Sequence, residues 1–429
     1  MTTLTYEDLK LPVYLNTRPL LANLTVTDAA IAAVLGKLGL LAVGDTGCGK
    51  SQLGQDIFDH YFGGNVAQGG QGIKIKAHPE IDIYNEIFTQ LNRGTASREL
   101  TQNIHALLYY VDELNRAPPV SQNQFFGLGD GLMDYKGSSI PLGHDGYHML
   151  FATANIGNGE FSGTFETDKA MYNRLHVVLD LDHYKPTRED KFRLNQGKAD
   201  PNIKISGKRD ISDSIIAASE KVSHMTVDSG LEAQAVIHYL SFGLDNCQKN
   251  NGSKGKVWPS SCQGCTYNPQ DETLCAQIRA PVQRTLEATI KYAAALEFVA
   301  KLKDPQQSID AVEFMFKAFE LTGAYQSLLN PQILRQNYLE QNPVMMATVA
   351  EELKKDFRAN EDYILTSLEM AGQGKAVTVF FKDNETLGDY ETLNRKANKK
   401  VAKLEPYTDA RPIGLGWVKD LIQFERRKK

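Results

Sequence analysis

One octapeptide, GDTGCGKS at Gly44–Ser51, restricts this chain of 429 residues more than any other feature. It fits G-x-x-x-x-G-K-[ST] at every fixed position. It follows a short apolar run, LGLLAV, and precedes SQLGQDIFDHYF, which has helical character. That strand-to-helix setting is what the motif requires. Its glycines let backbone N–H groups turn inward around phosphate oxygens, and the helix N-terminus adds the positive end of its dipole. Lys50 is placed to reach the β/γ phosphates of a nucleoside triphosphate, and Ser51 to ligate Mg²⁺. The expected nucleotide contacts are Gly44, Asp45, Thr46, Gly47, Cys48, Gly49, Lys50, Ser51 and Gln52, joined by Asp112.

Asp112 enters through the stretch ALLYYVDELNRAPP, residues 106–119. An apolar run ends abruptly in Asp112 and Glu113. A buried carboxylate is costly unless a cation or donor meets it. In a protein with a phosphate loop, a buried strand beside the first ends in an Asp that helps hold Mg²⁺, and the metal makes the carboxylate tolerable there. Glu113, one residue on, is placed to orient or deprotonate a water attacking the γ-phosphate. Further apolar runs, IKIKAHP, MLFATAN and LHVVLDLD, read as strands, and residues 83–104 as helical with a loop at RGTAS. MDYKGSSIPLGHDGYH reads as a hairpin. Strands alternating with helices imply an α/β fold with a parallel sheet covered on both faces.

The length implies two or three domains. The expected boundaries are an α/β domain at 1–186, a helical domain at 187–330 and an extension at 331–429. From about Thr187 apolar residues recur three and four apart, as in helices. Lys+Arg 47 against Asp+Glu 52 gives a net charge of -5, which argues against a surface built wholly for nucleic acid. No apolar run approaches the roughly 20 residues of a membrane span. The N-terminus carries acidic residues and no export pattern, which points to the cytoplasm.

Four of the five cysteines crowd together as Cys247-x14-Cys262-x2-Cys265-x9-Cys275. A C-x2-C pair can bite one metal ion from a tight turn, and two more thiolates complete a Cys₄ site in a loop with little apolar material of its own (about 245–276). Structural Zn²⁺ is the simplest occupant and a [4Fe–4S] cluster the rival. Cys48 reads as a small space-filler, though a helix N-terminus can lower a thiol's pKa and invite oxidation. His144, His148 and His183 have no ligand spacing with one another. Trp258 and Trp417 are isolated.

GDTGCGKS followed by YYVDELNRAPPVSQNQFFGLGDG, a hairpin and then LFATAN resembles the MoxR family of AAA+ ATPases; the DELNRAPP stretch is the distinctive part. The resemblance covers roughly residues 15–330, with the cysteine segment outside it. It implies a P-loop AAA+ parallel sheet flanked by helices, followed by a small all-α lid carrying the cysteine-rich insertion and a C-terminal extension. It also implies a homo-oligomeric ring, usually a hexamer, with ATP bound between neighbouring subunits. Asn155 resembles the sensor-1 residue that positions the attacking water; family members often continue with proline, where this chain has Ile156. Arg174 resembles the arginine that reaches a neighbour's ATP. Arg284 resembles the sensor-2 arginine of the lid; Val282 and Gln283 intervene after Pro281, so Arg279 competes with it. Tyr135 and Lys136, on the hairpin, are candidate contacts to a client.

The implied function is an ATPase that remodels or matures a protein partner, such as a protein with a von Willebrand A-type domain. A nucleic-acid-stimulated motor of a defence or restriction type is an alternative, served by the lysine-rich loop at Lys249, Lys254 and Lys256. A slow, nucleotide-switched scaffold is another.

Overall fold

The computed structural model describes residues 4–92, 97–155, 165, 167–196, 202–205, 207–245 and 274–372. Its contacts divide into two compact units. One is Met1–Val227 with Lys291–Ile309, and the other takes the described residues of Asp228–Ile290 and Asp310–Lys429. The first unit thus runs past 186 to Val227. It also takes in the later part of the helix Gln283–Lys303, so the change of sequence character at Thr187 is not where the compact units divide.

Eleven strands are named in chain order: β1 (Pro19–Leu21), β2 (Leu24–Thr25), β3 (Leu40–Val43), β4 (Gly72–Lys76), β5 (Thr89–Asn92), β6 (Ser97–Leu100), β7 (Leu108–Asp112), β8 (Leu132–Tyr135), β9 (Ser138–Pro141), β10 (Met149–Ala154) and β11 (Val177–Asp180). Five form one sheet in the order β11-β3-β10-β7-β4, and every neighbouring pair is parallel. Every residue of β3 and β10 is buried. That explains why neither alternates apolar with polar residues, Thr153 being the one polar residue of the two, since a parallel strand covered on both faces has no solvent side to alternate toward. The structure corrects one expectation here. The strand ending in Asp112, β7, is not beside β3; β10 lies between them.

The helix Lys50–His60 follows the loop after β3 and lies on β7 and β10. Gly54 is where it comes closest: a Cβ there would stand 2.5 Å from the Phe151 ring and 2.6 Å from that of Tyr110. The helix Val26–Leu35 starts in a capping box made by Thr25 and Asp28. Asp28 is fully buried and also meets the Tyr6 hydroxyl and Lys303 Nζ, at 2.6 and 2.8 Å.

A second correction concerns residues 83–104. The structure gives a π turn, Tyr84–Phe88, then the antiparallel pair β5–β6 and a 3₁₀ turn, Gln102–His105. Thr89, Arg98 and Thr101 spend their side chains on local partners, with Thr89 bonding Tyr84 O, Arg98 bonding Thr89, and Thr101 bonding Ile87 O. Such local bonds compete with a helix ladder. The expected hairpin forms as β8–β9.

The second unit is helical where described. Leu231–His238, Ala311–Gly323, Pro331–Tyr338 and Asn342–Gly372 surround a cluster that includes Tyr239, Phe316 and Phe357, whose rings meet edge to face. Cys247, Cys262 and Cys265, the strand expected in AVTVFFKDNETLGDY, Trp258 and Trp417 lie outside the described residues. Among the described residues no helix is long and apolar enough to cross a membrane.

Candidate active site

The phosphate loop leaves β3 and enters its helix through Gly49, whose φ of 96° is a left-handed conformation that favours glycine. A Cβ there would also stand 3.2 Å from the Tyr14 ring. Lys50 is buried, and its Nζ donates to the carbonyls of Gly44 and Asp45 at 2.8 and 2.7 Å, so it is folded back on its own loop. Asp45 N–H donates to Asp182 Oδ2 at 2.7 Å, which braces the loop against the chain just after β11. Cys48 lies 3.5 Å from Lys50 Nζ, yet burial raises its thiol above the ordinary value despite that neighbour.

Asp112 is met by donors from two directions. Ser51 Oγ donates to its Oδ1 at 3.2 Å, and Thr153 Oγ1, from the intervening strand β10, donates to the same oxygen at 2.8 Å. Thr153 Oγ1 in turn accepts the Glu113 N–H at 2.9 Å. One fully buried hydroxyl therefore fixes both carboxylate residues. Glu113 has φ 57°, a left-handed backbone that swings it out of the line of the strand. Its carboxylate is paired with Arg116 at 2.8 Å. Asn115 Nδ2 donates to Asn155 O at 2.7 Å, and Asn155 N–H donates to Asn115 Oδ1 at 3.3 Å. The asparagine of DELNRAPP thus holds the backbone of the residue that follows β10. Ser51 Oγ and the Asp112 carboxylate are oxygen donors of the kind Mg²⁺ takes, and they are already turned toward each other.

Beside the loop lies a cavity of about 720 Å³. Residues 45–49 form one side of it. Val13, Tyr14, Leu15, Leu181, Pro186 and Leu194 supply apolar wall, and Gln52, Lys185, Lys191 and Lys204 add polar groups. The strap 13–17 is held by two carboxylates. Asp56 Oδ2, from the phosphate-loop helix, accepts the N–H groups of Val13 and Tyr14 at 2.9 and 2.6 Å. Asp190 accepts the Thr17 N–H and hydroxyl at 2.9 and 2.7 Å. Burial pushes the Asp56 carboxyl up against those hydrogen bonds. At Asp190 burial also acts upward, but the bonds from Thr17 and Thr187 prevail and its pKa falls. Gln52 ties helix to wall, its Nε2 reaching Asp56 Oδ1 and Lys204 O and its Oε1 accepting the Lys204 N–H.

Sequence reasoning missed Thr153, Tyr14, Asp56 and Asp182. Only Asp182 left a trace, as the last carboxylate of LHVVLDLD.

Arg174 sits apart from this cluster. Its Nε donates to Asp130 Oδ2 at 2.8 Å, its Nη1 to Ala170 O at 3.0 Å, and its guanidinium lies 4.4 Å from the Phe126 ring centre. Arg279 and Arg284 belong to the second unit and are exposed there. Tyr135 ends β8 and Lys136 follows it in the turn to β9, with the Tyr135 hydroxyl donating to Arg98 O at 2.6 Å. Cys275 falls in the short helix Leu274–Gln277. Among the described residues no group of three His, Cys, Asp or Glu could hold a metal.

No protein-family model matches the chain, and no curated protein does. A solved structure from Cytophaga hutchinsonii ATCC 33406, provisionally described as an ATPase, is similar with a TM-score of 0.50. The match covers 75% of this chain and 87% of that one at 11% sequence identity. The two share a fold. At that identity the likeness speaks for the α/β architecture with its central parallel sheet.

Proposed function

We propose that this chain is an ATP hydrolase, a ring-forming AAA+ ATPase of the MoxR kind that remodels or matures a protein partner. The observation that carries the reading is the meeting of Ser51, at the start of the phosphate-loop helix beside Lys50, with Asp112, Glu113 and Thr153 at the ends of β7 and β10. The provisional description of the Cytophaga hutchinsonii protein supports the ATPase part of it.

Ser51 and Asp112 would hold Mg²⁺, which supplies charge neutralisation on the β and γ phosphates. Lys50 exchanges its two carbonyl partners for phosphate oxygens. The backbone N–H groups of 47–51 and the helix end cradle the anion. Glu113 leaves Arg116 and holds or deprotonates the attacking water, and Asn155 orients that water. Arg174 is assigned to a neighbouring subunit's ATP, where a cation lowers the cost of charge on the transferring phosphoryl. Arg284, or its competitor Arg279, is assigned to the lid. The cysteine segment is assigned a Cys₄ site for Zn²⁺ or a [4Fe–4S] cluster.

The test is Glu113→Gln. Nucleotide binding should persist while steady-state ATP turnover falls by at least about 100-fold. A variant turning over at the wild-type rate removes Glu113 from this role.

A further inference from the structure

The register of β7 on β10 runs out at Val111 and Ala152. Beyond it, side chains carry the pairing. Thr153 Oγ1 receives the Glu113 N–H at 2.9 Å. The Asn115 side chain then grips the Asn155 backbone at two points: its Nδ2 donates to Asn155 O at 2.7 Å, and its Oδ1 accepts the Asn155 N–H at 3.3 Å. In a sheet, two residues that exchange both an N–H and a C=O bond form a fixed pair. Here one side-chain amide, which carries a donor and an acceptor together, takes the place of a strand neighbour. Asn115 and Asn155 are both buried, where such bonds are stronger than in water. The Asn115 carbonyl also accepts the Phe165 N–H at 2.7 Å, which ties a later part of the chain to the same residue.

Stability alone does not call for this grip, because exchanging water partners for protein partners leaves each hydrogen bond a modest net gain. What two bonds to one residue add is orientation. Rate depends steeply on that, and a misplacement of about 1 Å can cost about 100-fold. Glu113 opens the 3₁₀ turn Leu114–Arg116 in which Asn115 sits, and the Arg116 N–H closes back on Glu113 O at 2.8 Å. The turn that places Glu113 therefore also places Asn155.

We propose that Asn115 is a positioning residue for ATP hydrolysis: by gripping the Asn155 backbone it keeps the Asn155 side chain in register with Glu113, so that one turn fixes both groups that handle the attacking water. The proposal rests on the roles given above to Glu113 and Asn155. It adds to them a residue that acts only through Asn155.

The test is a double-variant cycle on the full chain. ATP turnover is measured at saturating MgATP, and the dissociation constant is measured for a non-hydrolysable ATP analogue with Mg²⁺. Asn115→Ala should lower kcat by about 10- to 100-fold and shift the dissociation constant by less than about threefold. The deciding readout is its combination with Asn155→Ala. When Asn115 acts through Asn155, the double variant turns over within about threefold of the slower single variant; a merely structural role lets the two losses multiply. Asn115→Asp keeps the size and the acceptor but sets an oxygen against Asn155 O. It should lose kcat in the same way, and it takes the alanine variant's place in the cycle where that variant does not fold. Wild-type kcat in a folded Asn115 variant or in Asn155→Ala, a loss confined to nucleotide binding, or losses that multiply overturn the proposal and leave the ATPase reading standing. No ATP turnover by the wild type overturns both.

Discussion

Thr153 shows how much of this site depends on a residue with no motif of its own. Its hydroxyl donates to Asp112 and accepts from the Glu113 backbone, while no surface of the side chain meets solvent. Thr153→Val keeps the shape and removes both bonds. Asp112 Oδ1 then keeps only its bond from Ser51, the half-buried Glu113 N–H loses its acceptor, at a cost of about 1–3 kcal/mol, and the two carboxylate residues lose their common support. The expected result is a lower unfolding midpoint and an ATP turnover reduced at least tenfold, with Thr153→Ser restoring both. A valine variant with full stability and full turnover would refute the coupling. Glu113 carries a related lesson. Its left-handed backbone is uncommon for a residue with a Cβ, and such conformations gather at functional sites.

The phosphate-loop helix packs on β7 and β10 through Gly54. Gly54 is weak by helix propensity, and alanine there would gain about 1 kcal/mol in an exposed helix. Here the added methyl meets Phe151 and Tyr110 rings under 3 Å away, and both rings are fully buried. Overpacking of this kind costs about 1–3 kcal/mol or more, so packing outweighs propensity. Gly54→Ala should therefore lower stability in denaturant unfolding; a gain would show that the helix can lift off the sheet without loss. Elements were unevenly legible in the sequence. β3, β10 and β11 announced themselves as short runs dominated by apolar residues, because their side chains are buried along nearly their whole length. Residues 83–104 did not, because the threonine and arginine side chains that favour β5–β6 act through partners a helical reading ignores.

For the unit containing the sheet as a whole, His148 gives a handle on acid stability. It packs against the Tyr109 ring, and burial, with a smaller push from His176, lowers its pKa to about 4. The unfolded chain would take up that proton near pH 6.5. Between those values the unfolded state binds more protons than the folded one, so stability is lost as pH falls from about 6.5 toward 4. The loss is on the order of 3 kcal/mol for this group. His148→Phe, if it folds, should flatten that part of the stability–pH curve in thermal melts. A curve unchanged in slope would move the acid sensitivity elsewhere.

The sequence alone determined the local chemistry: a phosphate loop between strand and helix, a strand closing in Asp112 and Glu113, and a hairpin after them. Each of these is written in neighbouring residues, because turn glycines, caps and short apolar runs act within a few positions of themselves. Only the tertiary structure decided that β10 separates β3 from β7, that Thr153 joins the two carboxylates, that Asp56 holds the strap, and that Arg174 rests on Asp130 and Phe126. Those pairings cross tens of residues of chain. A buried hydrogen bond is worth making with whichever partner packing brings near, and no spacing in the sequence records which one that is.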